Sequence, residues 1–373
     1  MKKLANILGC LLVLPVLLTG CGGGGGGGDS APAGALTPEG AGASITQAVD
    51  ATGATVTANF TNAVDINSSN EVIGFAEITP GAPISAAFWE VVVDSNGAAA
   101  ITPRALDPIT GSFSAAFALD ETGIAVGQSS TATTALVAVF WPAGSSTPTQ
   151  LDGLTAAGNS RALDISANGD LIVGEAQDAA LTTRAVVWVS DGAGGFNAPV
   201  ALPVNVFAVG GVLSQFSAAN GVARVGTTDE ILVVGEALDG DNILHAVLWR
   251  SVNNGATYTA SSLGEDHIAY AVNGNRLVVG ESDIALSPVS WTVNDAGVAA
   301  APVSLAAAGS AVAVNENSRI AGWTGATPIA AVWSGTVPAN VFAVESQAFN
   351  LNNDVEPLVV GRQGAVAFIK RVN

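Results

Sequence analysis

The chain is poor in cysteine and histidine, with two of each among its 373 residues. Both cysteines, Cys10 and Cys21, lie close to the amino terminus. After residue 21 the sequence therefore has no thiol for a disulfide, a thiolate zinc site or a nucleophile. We expect the stability of this long remainder to come from packing.

Basic residues are also scarce, with 12 Lys and Arg against 31 Asp and Glu and a formal net charge of −19. A surface this acidic repels nucleic acid, so we predict no nucleic-acid partner. The acidic residues are spread along the chain rather than gathered in a tail, so they do not predict disorder.

Long apolar runs are absent except at the amino terminus, where two lysines precede an apolar run from Leu4 to Leu18. The run is too short for a permanent membrane helix and has the layout of a secretory signal. The stretch "LTGC" that ends at Cys21 resembles the lipobox of bacterial lipoproteins. That resemblance implies that residues 1–20 are cleaved and that Cys21 carries diacylglyceryl and acyl (palmitate-type) chains. The alternative is an ordinary signal peptide with an incidental cysteine.

Gly22 rather than Asp follows the cysteine, which in the lipoprotein family implies the outer membrane of a Gram-negative bacterium, facing the periplasm or the cell surface. Residues 21–45 are rich in Gly, Ala and Pro and predict a flexible tether behind the lipid anchor. Residues 46–373 are dense in Val, Ile, Ala and Thr and form the predicted body.

Seven similar units repeat through this body, as in "ALDISANGDLIVG" (162–174) and "AYAVNGNRLVVG" (269–280). Each unit ends its apolar strand in a glycine, and these glycines are 39 to 61 residues apart. The seven are Gly74, Gly127, Gly174, Gly235, Gly280, Gly322 and Gly361. A second apolar run follows each of the first six and closes in a tryptophan: Trp89, Trp141, Trp188, Trp249, Trp291 and Trp333. In the seventh unit we place Phe368 at the tryptophan position.

These patterns predict an all-β, seven-bladed β-propeller of four-stranded antiparallel blades. Continuous apolar strands such as "ILVVG" indicate burial on both faces, which neighbouring blades provide. A repeat of about 45 residues is the size of one blade. Each tryptophan would be a wedge against the next blade, with its indole N–H bonded to a backbone carbonyl. We predict that segment 44–60 pairs with the last unit and closes the ring, which removes exposed sheet edges.

The run "HAVLW" (245–249) and the longer "LDGLTAAGNSRALDISANGDLIVG" (151–174) resemble the signature of HAF-repeat extracellular proteins. The resemblance covers residues 60–373 and implies exported propeller-like repeats with no catalytic residues to carry over. "SVNNGATY" (251–258) resembles the Asp-box of sialidase-type propellers, a structural hairpin. "DISANGDLIVG" is similar to the calcium-holding units of FG-GAP propellers, with Asp164, Ser166 and Asn168 at the alternating positions but no final carboxylate.

Three successive units carry acidic residues just after their glycines, and in a propeller these fall on one face of adjacent blades. The predicted acidic arc is Glu175, Asp178, Glu236, Asp239, Asp241, Glu281 and Asp283. One hypothesis is a site for a divalent cation or a cationic partner such as a basic peptide or an amino sugar. The alternative is a solvated rim on an acidic protein. We predict no cofactor and no metal site. Calcium is the one ion for which the acidic arc remains a candidate.

Other candidates for chemistry are few. His245 lies in an apolar strand, where a hydrogen-bonded structural histidine is expected, and His267 has no second histidine nearby to share a metal. The longest unit has an insertion at 203–221 with Phe207 and Phe216 around Gly210-Gly211, which predicts either a binding loop or an extra hairpin.

The sequence contains no nucleophile elbow, phosphate loop or metal-ligand spacing. We therefore predict a monomeric, membrane-anchored binding or assembly module that takes a protein or glycan ligand on one propeller face and is not an enzyme. The alternative is a glycan-acting hydrolase or lyase.

Overall fold

A computed structural model describes residues 42–50, 52–93, 99–209 and 214–372. The predicted signal peptide, Cys21 and most of the tether lie outside these residues. Within them the chain is built of β-strands, joined by turns and one short 3₁₀ helix at Asn205–Phe207.

Seven four-stranded antiparallel sheets follow one another along the chain. From the innermost strand outwards, blade 1 is β4 (Phe60–Ile66), β5 (Glu71–Glu77), β6 (Ser85–Val93) and β7 (Ala99–Leu106). Blade 2 is β8 (Ser114–Leu119), β9 (Ala125–Ser130), β10 (Leu136–Trp141) and β11 (Thr149–Gln150). Blade 3 is β12 (Ser160–Ile165), β13 (Leu171–Gln177), β14 (Thr183–Val189) and β15 (Val200–Ala201). Blade 4 is β16 (Phe216–Arg224), β17 (Ile231–Leu238), β18 (Leu244–Ser251) and β19 (Thr259–Glu265).

The remaining strands complete the ring. Blade 5 is β20 (His267–Val272), β21 (Leu277–Ser282), β22 (Ser287–Thr292) and β23 (Val303–Ser304). Blade 6 is β24 (Gly309–Val314), β25 (Arg319–Thr324), β26 (Ile329–Ser334) and β27 (Val337–Asn340). Blade 7 is β28 (Gln347–Leu351), β29 (Leu358–Gln363), β30 (Val366–Arg371) and, from the start of the chain, β1 (Ala43–Ile45). A separate hairpin is formed by β2 (Gln47–Val49) and β3 (Thr55–Thr57).

The ring is closed as predicted, because β1 pairs antiparallel with β30. Ala43 lies opposite Ile369 and Ile45 opposite Ala367. The pairing strand starts at Ala43, inside the segment predicted as tether. Most of segment 44–60 forms the β2–β3 hairpin instead of extending this strand. The seven-bladed, all-β architecture is therefore confirmed.

Each blade glycine lies in the middle of the second strand and not at its end, where the sequence placed it. It faces a β-bulge on the first strand, where one residue is skipped in the pairing, as between Ala63 and Asp65 in blade 1. A Cβ added to Gly74 would lie 1.9 Å from the carbonyl oxygen of Asn62, and the other six glycines meet a first-strand carbonyl at 1.9–2.0 Å. Any side chain would break the bulged pairing, so the close backbone approach explains the repeat.

The six tryptophans are at most 1% exposed and fill the interfaces between blades. Each indole N–H donates to a carbonyl at or just beyond the outermost strand of the preceding blade, at 2.7–3.3 Å. In blade 1 the acceptor is Gln47, the first residue of β2, two residues beyond the end of the closing strand. The predicted wedge and its hydrogen bond are both present, and each bond ties two blades together.

The prediction for the seventh blade was wrong by two residues. In blades 1–6 the tryptophan lies two residues after the partner of the blade glycine, as Trp89 follows Ala87 opposite Gly74. In blade 7 the partner of Gly361 is Phe368 itself, so the equivalent residue is Lys370. Lys370 is 7% exposed, and its Nζ donates to the carbonyl of Val341 at 3.0 Å, replacing the indole bond. Burial lowers the pKa of this ammonium.

Candidate ligand-binding site

One face of the propeller carries the turns between the second and third strands, and we call it the arc face. All seven residues of the predicted acidic arc lie on it, in or just after β13, β17 and β21. The structure divides them into groups with different roles, because the glutamates lie inside the strands and most of the aspartates lie in the turns.

The residue after each blade glycine forms a layer that we call the inter-blade layer, since it reaches toward the next blade's first strand. Gln128 donates to the carbonyl of Ser160 at 3.2 Å, and the Trp323 ring contacts Phe349 with centroids 6.4 Å apart. The Arg362 guanidinium lies 5.7 Å from the Phe60 ring centroid. The layer is Phe75, Gln128, Glu175, Glu236, Glu281, Trp323 and Arg362. Three consecutive blades thus contribute carboxyl groups, and the two after them an indole and a guanidinium.

Glu236 is the most enclosed carboxyl of the layer, 6% exposed, and its Oε2 atom has no hydrogen-bond partner. Burial raises its pKa to about 8, and the charges of Glu175, Glu281 and Asp283 add to the effect while Arg161 opposes it. Carboxylates on both neighbouring blades are therefore close enough to act on this one group.

The two flanking glutamates have partners. Glu175 is paired with Arg161 across β12 and β13 at 3.0 Å, and the Nε of Arg161 is buried without a partner. Burial raises the pKa of Glu281, and the nearby hydroxyl groups of Ser310 and Tyr270 oppose that rise. The site therefore combines one unpartnered carboxyl with neighbours that are already held in place.

Asp178 and Asp239 cap the turns that follow β13 and β17. The Oδ1 atom of Asp178 accepts the backbone N–H groups of Ala180 and Thr182 at 2.9 and 3.0 Å, and Arg184 binds its other oxygen. Asp239 holds its own turn in the same way. Burial works against ionisation of both groups, but these hydrogen bonds outweigh it and lower each pKa. Both carboxylates serve turn structure, and the exposed Asp241 stands in solvent.

The described residues contain no group of three or more His, Cys, Asp and Glu side chains that could hold a metal ion. The calcium-like alternation of Asp164, Ser166 and Asn168 also does not converge. Asp164 is partly buried and accepts the N–H groups of Ile165 and Val222, while Ser166 bonds to Asn168 in the turn. Burial raises the pKa of Asp164 to about 7.

Both histidines are engaged by neighbouring groups. The Nε2 of His245 lies 3.2 Å from Asp239, and its Nδ1 lies 3.1 Å from the hydroxyl of Ser262. His267 is the first residue of β20 rather than part of a loop, and its Nδ1 bonds to the carbonyl of Glu265 at 2.6 Å. These contacts account for both ring nitrogens of His245 and for the Nδ1 of His267.

The described part of the insertion at 203–221 contains a 3₁₀ helix and the start of β16, and no extra hairpin. Phe207 ends the 3₁₀ helix, is buried and contacts the ring of His245 at a centroid distance of 5.2 Å. Phe216 is the first residue of β16. Gly210 and Gly211 lie outside the described residues. Phe207 therefore covers the junction of blades 3 and 4.

Sequence reasoning missed the non-acidic part of the site, namely Arg161, Trp323 and Arg362. The signal that could have found the last two is their position directly after the blade glycine, the position that Glu236 occupies in blade 4. A second missed group is Asp65, whose pKa burial raises to about 8 and which accepts the N–H of Leu119 in the next blade.

No family model and no curated protein matches this chain. Among solved structures it is similar to the Trypanosoma rangeli sialidase, with a TM-score of 0.47 and 11% identity over 90% of this chain and 59% of the sialidase. It is similar to a Hadza microbial sialidase, with a TM-score of 0.45 and 11% identity over 84% of this chain and 65% of that one. The β-propeller domain of the trilobed protease from Pyrococcus furiosus gives a TM-score of 0.49 and 7% identity over 84% of this chain and 94% of that domain.

The chain spans about three-fifths of the length of the Trypanosoma rangeli sialidase that it matches. In the part of the chain that the structure describes, no helix has the length and apolar character needed to cross a membrane.

Proposed function

We propose that this protein is a binding module whose inter-blade layer receives a cationic group of its ligand, with no catalytic step. The observation that supports this proposal is the buried Oε2 of Glu236, which has no protein partner and lies within the field of three other carboxylates.

A buried carboxyl group without a hydrogen-bond partner costs stability, and a protein retains one where a ligand supplies the missing contact. An ammonium or guanidinium group can supply this contact, because it carries hydrogen-bond donors as well as a positive charge. A divalent cation is the weaker candidate, since the described residues lack a group of three metal-binding side chains.

Binding of a cation at Glu236 should depend on pH with a definite sign. The pKa of about 8 leaves the free carboxyl largely protonated at neutral pH, so a bound cation must displace that proton. The groups that act on Glu236 with the same sign of charge are Glu175, Glu281 and Asp283, and they remain next to it across this pH range. Affinity should therefore rise between pH 6 and pH 8.5, with proton release that shrinks toward the upper end.

Calorimetry of the full chain with n-butylamine tests the proposal, using buffers of different ionisation enthalpy to count protons. The Glu236→Gln variant keeps the shape of the side chain and should lose binding. Asp241→Asn removes a carboxylate from an exposed turn of the same blade and serves as the matched control. Absence of amine binding at every pH, or equal binding by Glu236→Gln, would refute the proposal.

The membrane anchor is part of the same proposal. Cys21 would carry the lipid and residues 22–42 would hold the propeller off the outer membrane, as the lipobox and HAF-repeat resemblances imply. Metabolic labelling with a palmitate analogue, followed by membrane fractionation, should give a labelled outer-membrane protein. Cys21→Ala should lose the label, and a retained label would contradict lipidation at this residue.

The second candidate is a glycan-acting enzyme. Its support is the contrast between Glu236, whose pKa is raised to about 8, and Glu175, which is ion-paired with Arg161. A protonated carboxyl beside a carboxylate is the pair that glycoside hydrolysis uses. Turnover on a glycan panel that both Glu236→Gln and Glu175→Gln abolish would replace the binding proposal with this one.

A further inference from the structure

The arc face carries exposed leucine and isoleucine side chains at the tips of two turns. Leu181 is 68% exposed in the turn after β13, and Ile284 and Leu286 are 74% and 58% exposed in the turn after β21. These turns follow the strands of Glu175 and Glu281, so the apolar tips lie on the blades on either side of Glu236. Each tip is three to six residues from its glutamate, a distance of roughly 10–20 Å along the chain.

Two of the tips also adopt a backbone conformation that leucine disfavours. Leu181 and Leu286 have φ of 60° and 48°, in the left-handed region. Asn242 holds the same place in the turn of blade 4, with φ of 63°, and asparagine is a residue that this region accepts readily. An exposed leucine at a strained position serves neither the turn nor solubility, which points to contact with another molecule.

The floor between these tips suits an alkyl chain that ends in a cation. Tyr270 bonds to Glu281, so its half-buried aromatic ring stands beside that carboxyl group. An aromatic wall next to an acid accommodates a methylene stem and also attracts an ammonium group.

We propose that the arc face binds a lysine side chain of another protein, presented on a peptide segment whose flanking residues are apolar. The ammonium meets Glu236, the stem lies along Tyr270, and the flanking residues contact Leu181, Ile284 and Leu286. This inference rests on the proposed function and adds the class of partner to it. The charge of the site and the apolar tips together favour a peptide over an amino sugar, which has no apolar side chains to offer.

The test compares three probes by calorimetry on the full chain at pH 8: n-butylamine, glucosamine, and the acetylated, amidated peptide Ala-Leu-Lys-Leu-Ala. We expect the peptide to bind at least tenfold more tightly than n-butylamine, and glucosamine to bind no better than the simple amine. The same peptide with acetyl-lysine in place of lysine should show no binding, because it lacks the charge.

The double variant Leu181→Asn/Leu286→Asn replaces two of the three apolar tips with residues that suit a left-handed turn position, so folding is preserved. It should lower peptide affinity at least fivefold and leave n-butylamine affinity unchanged. Val355→Asn, on an exposed turn of the opposite face, is the matched control and should change neither.

A peptide no tighter than n-butylamine, or a double variant with full peptide affinity, overturns this inference and leaves the cation-binding proposal intact. Glucosamine binding more tightly than the peptide also overturns it, in favour of an amino sugar. If no probe binds, the proposed function fails with it.

Discussion

Glu230 and Glu236 lie six residues apart in blade 4 and are each 6% exposed, yet they behave in opposite ways. Glu230 lies at the start of β17, facing the side of the ring opposite the arc face. It binds Arg250 and Arg276 at 2.6 Å each. Burial opposes its ionisation, but the two arginines outweigh burial and lower its pKa. Glu236 has the same exposed fraction but lies deeper and lacks such partners, and its pKa is raised to about 8.

The comparison shows that burial alone does not identify a functional carboxyl group; what matters is whether the protein completes its hydrogen bonds. Glu230 binds arginines of two adjacent blades, so both of its carboxylate oxygens have partners within the protein. Glu236 lies among carboxylates and keeps one oxygen unpartnered, which is an arrangement that costs stability and is typical of binding sites.

Removing the charge of Glu230 should have the largest effect. Glu230→Gln leaves two partly buried guanidinium groups without their carboxylate, and we expect a loss of about 3 kcal/mol in the free energy of unfolding at pH 7. Urea unfolding of wild type and variant measures this difference. Asp295→Asn is the control, because Asp295 binds Arg276 from an almost fully exposed position and should cost little. A variant as stable as wild type would show that the Glu230 network does not hold the blades together.

Removing the charge of Glu236 should act with the opposite sign, because it should remove a loss of stability that grows with pH. The pKa of about 8 in the folded state lies well above the ordinary value of a glutamate, so the native state holds a proton that the unfolded state releases. Wild-type stability should therefore fall as pH rises from about 4.5 to 8, and Glu236→Gln, which titrates in neither state, should lack this contribution to the fall.

Thermal unfolding of both proteins at intervals from pH 5 to pH 8.5 tests this prediction. Asp65 and Asp164 also have raised pKa values and remain in both proteins, so only the difference between the two curves carries the result. Parallel curves would mean that Glu236 is ionised in the native state and is not the unpartnered acid described above.

The fold could be predicted from the sequence because its strongest constraints are local and repeated. The bulge of each blade admits only glycine opposite it, and six of the seven interfaces take a buried indole, so both residues recur at fixed positions. Blade 7 misled the prediction because Phe368 is aromatic, while Lys370 reproduces the indole's hydrogen bond with a different group. Counting two residues from the partner of Gly361 would have found it, but that count needs the strand register.

The candidate site was predictable only in its acidic half, on one face of blades 3–5. The sequence could not show that Glu236 is the unpartnered acid and Asp239 a turn cap, because both are simply acidic residues near the end of a strand. The two roles differ in whether the carboxylate meets backbone N–H groups of the turn, and only the folded turn geometry shows this. Trp323 and Arg362 were missed because neither is acidic, although both occupy the position after a blade glycine.

The smallest expected effect comes from Arg161, a cation that opposes the raised pKa of Glu236. Arg161 lowers the pKa of Glu236 and is also the partner of Glu175. In Arg161→Gln the opposing charge is gone and Glu175 stands uncompensated, so the pKa of Glu236 should rise by about half a unit. The difference in stability between Arg161→Gln and Arg161→Gln/Glu236→Gln should stop growing at the folded-state pKa of Glu236, and the pH at which it does so measures this shift. If that pH is no higher than in the wild-type background, Arg161 is too far away to act on Glu236. The two carboxyl groups of blade 4 would then differ through burial geometry alone rather than through the cations around them.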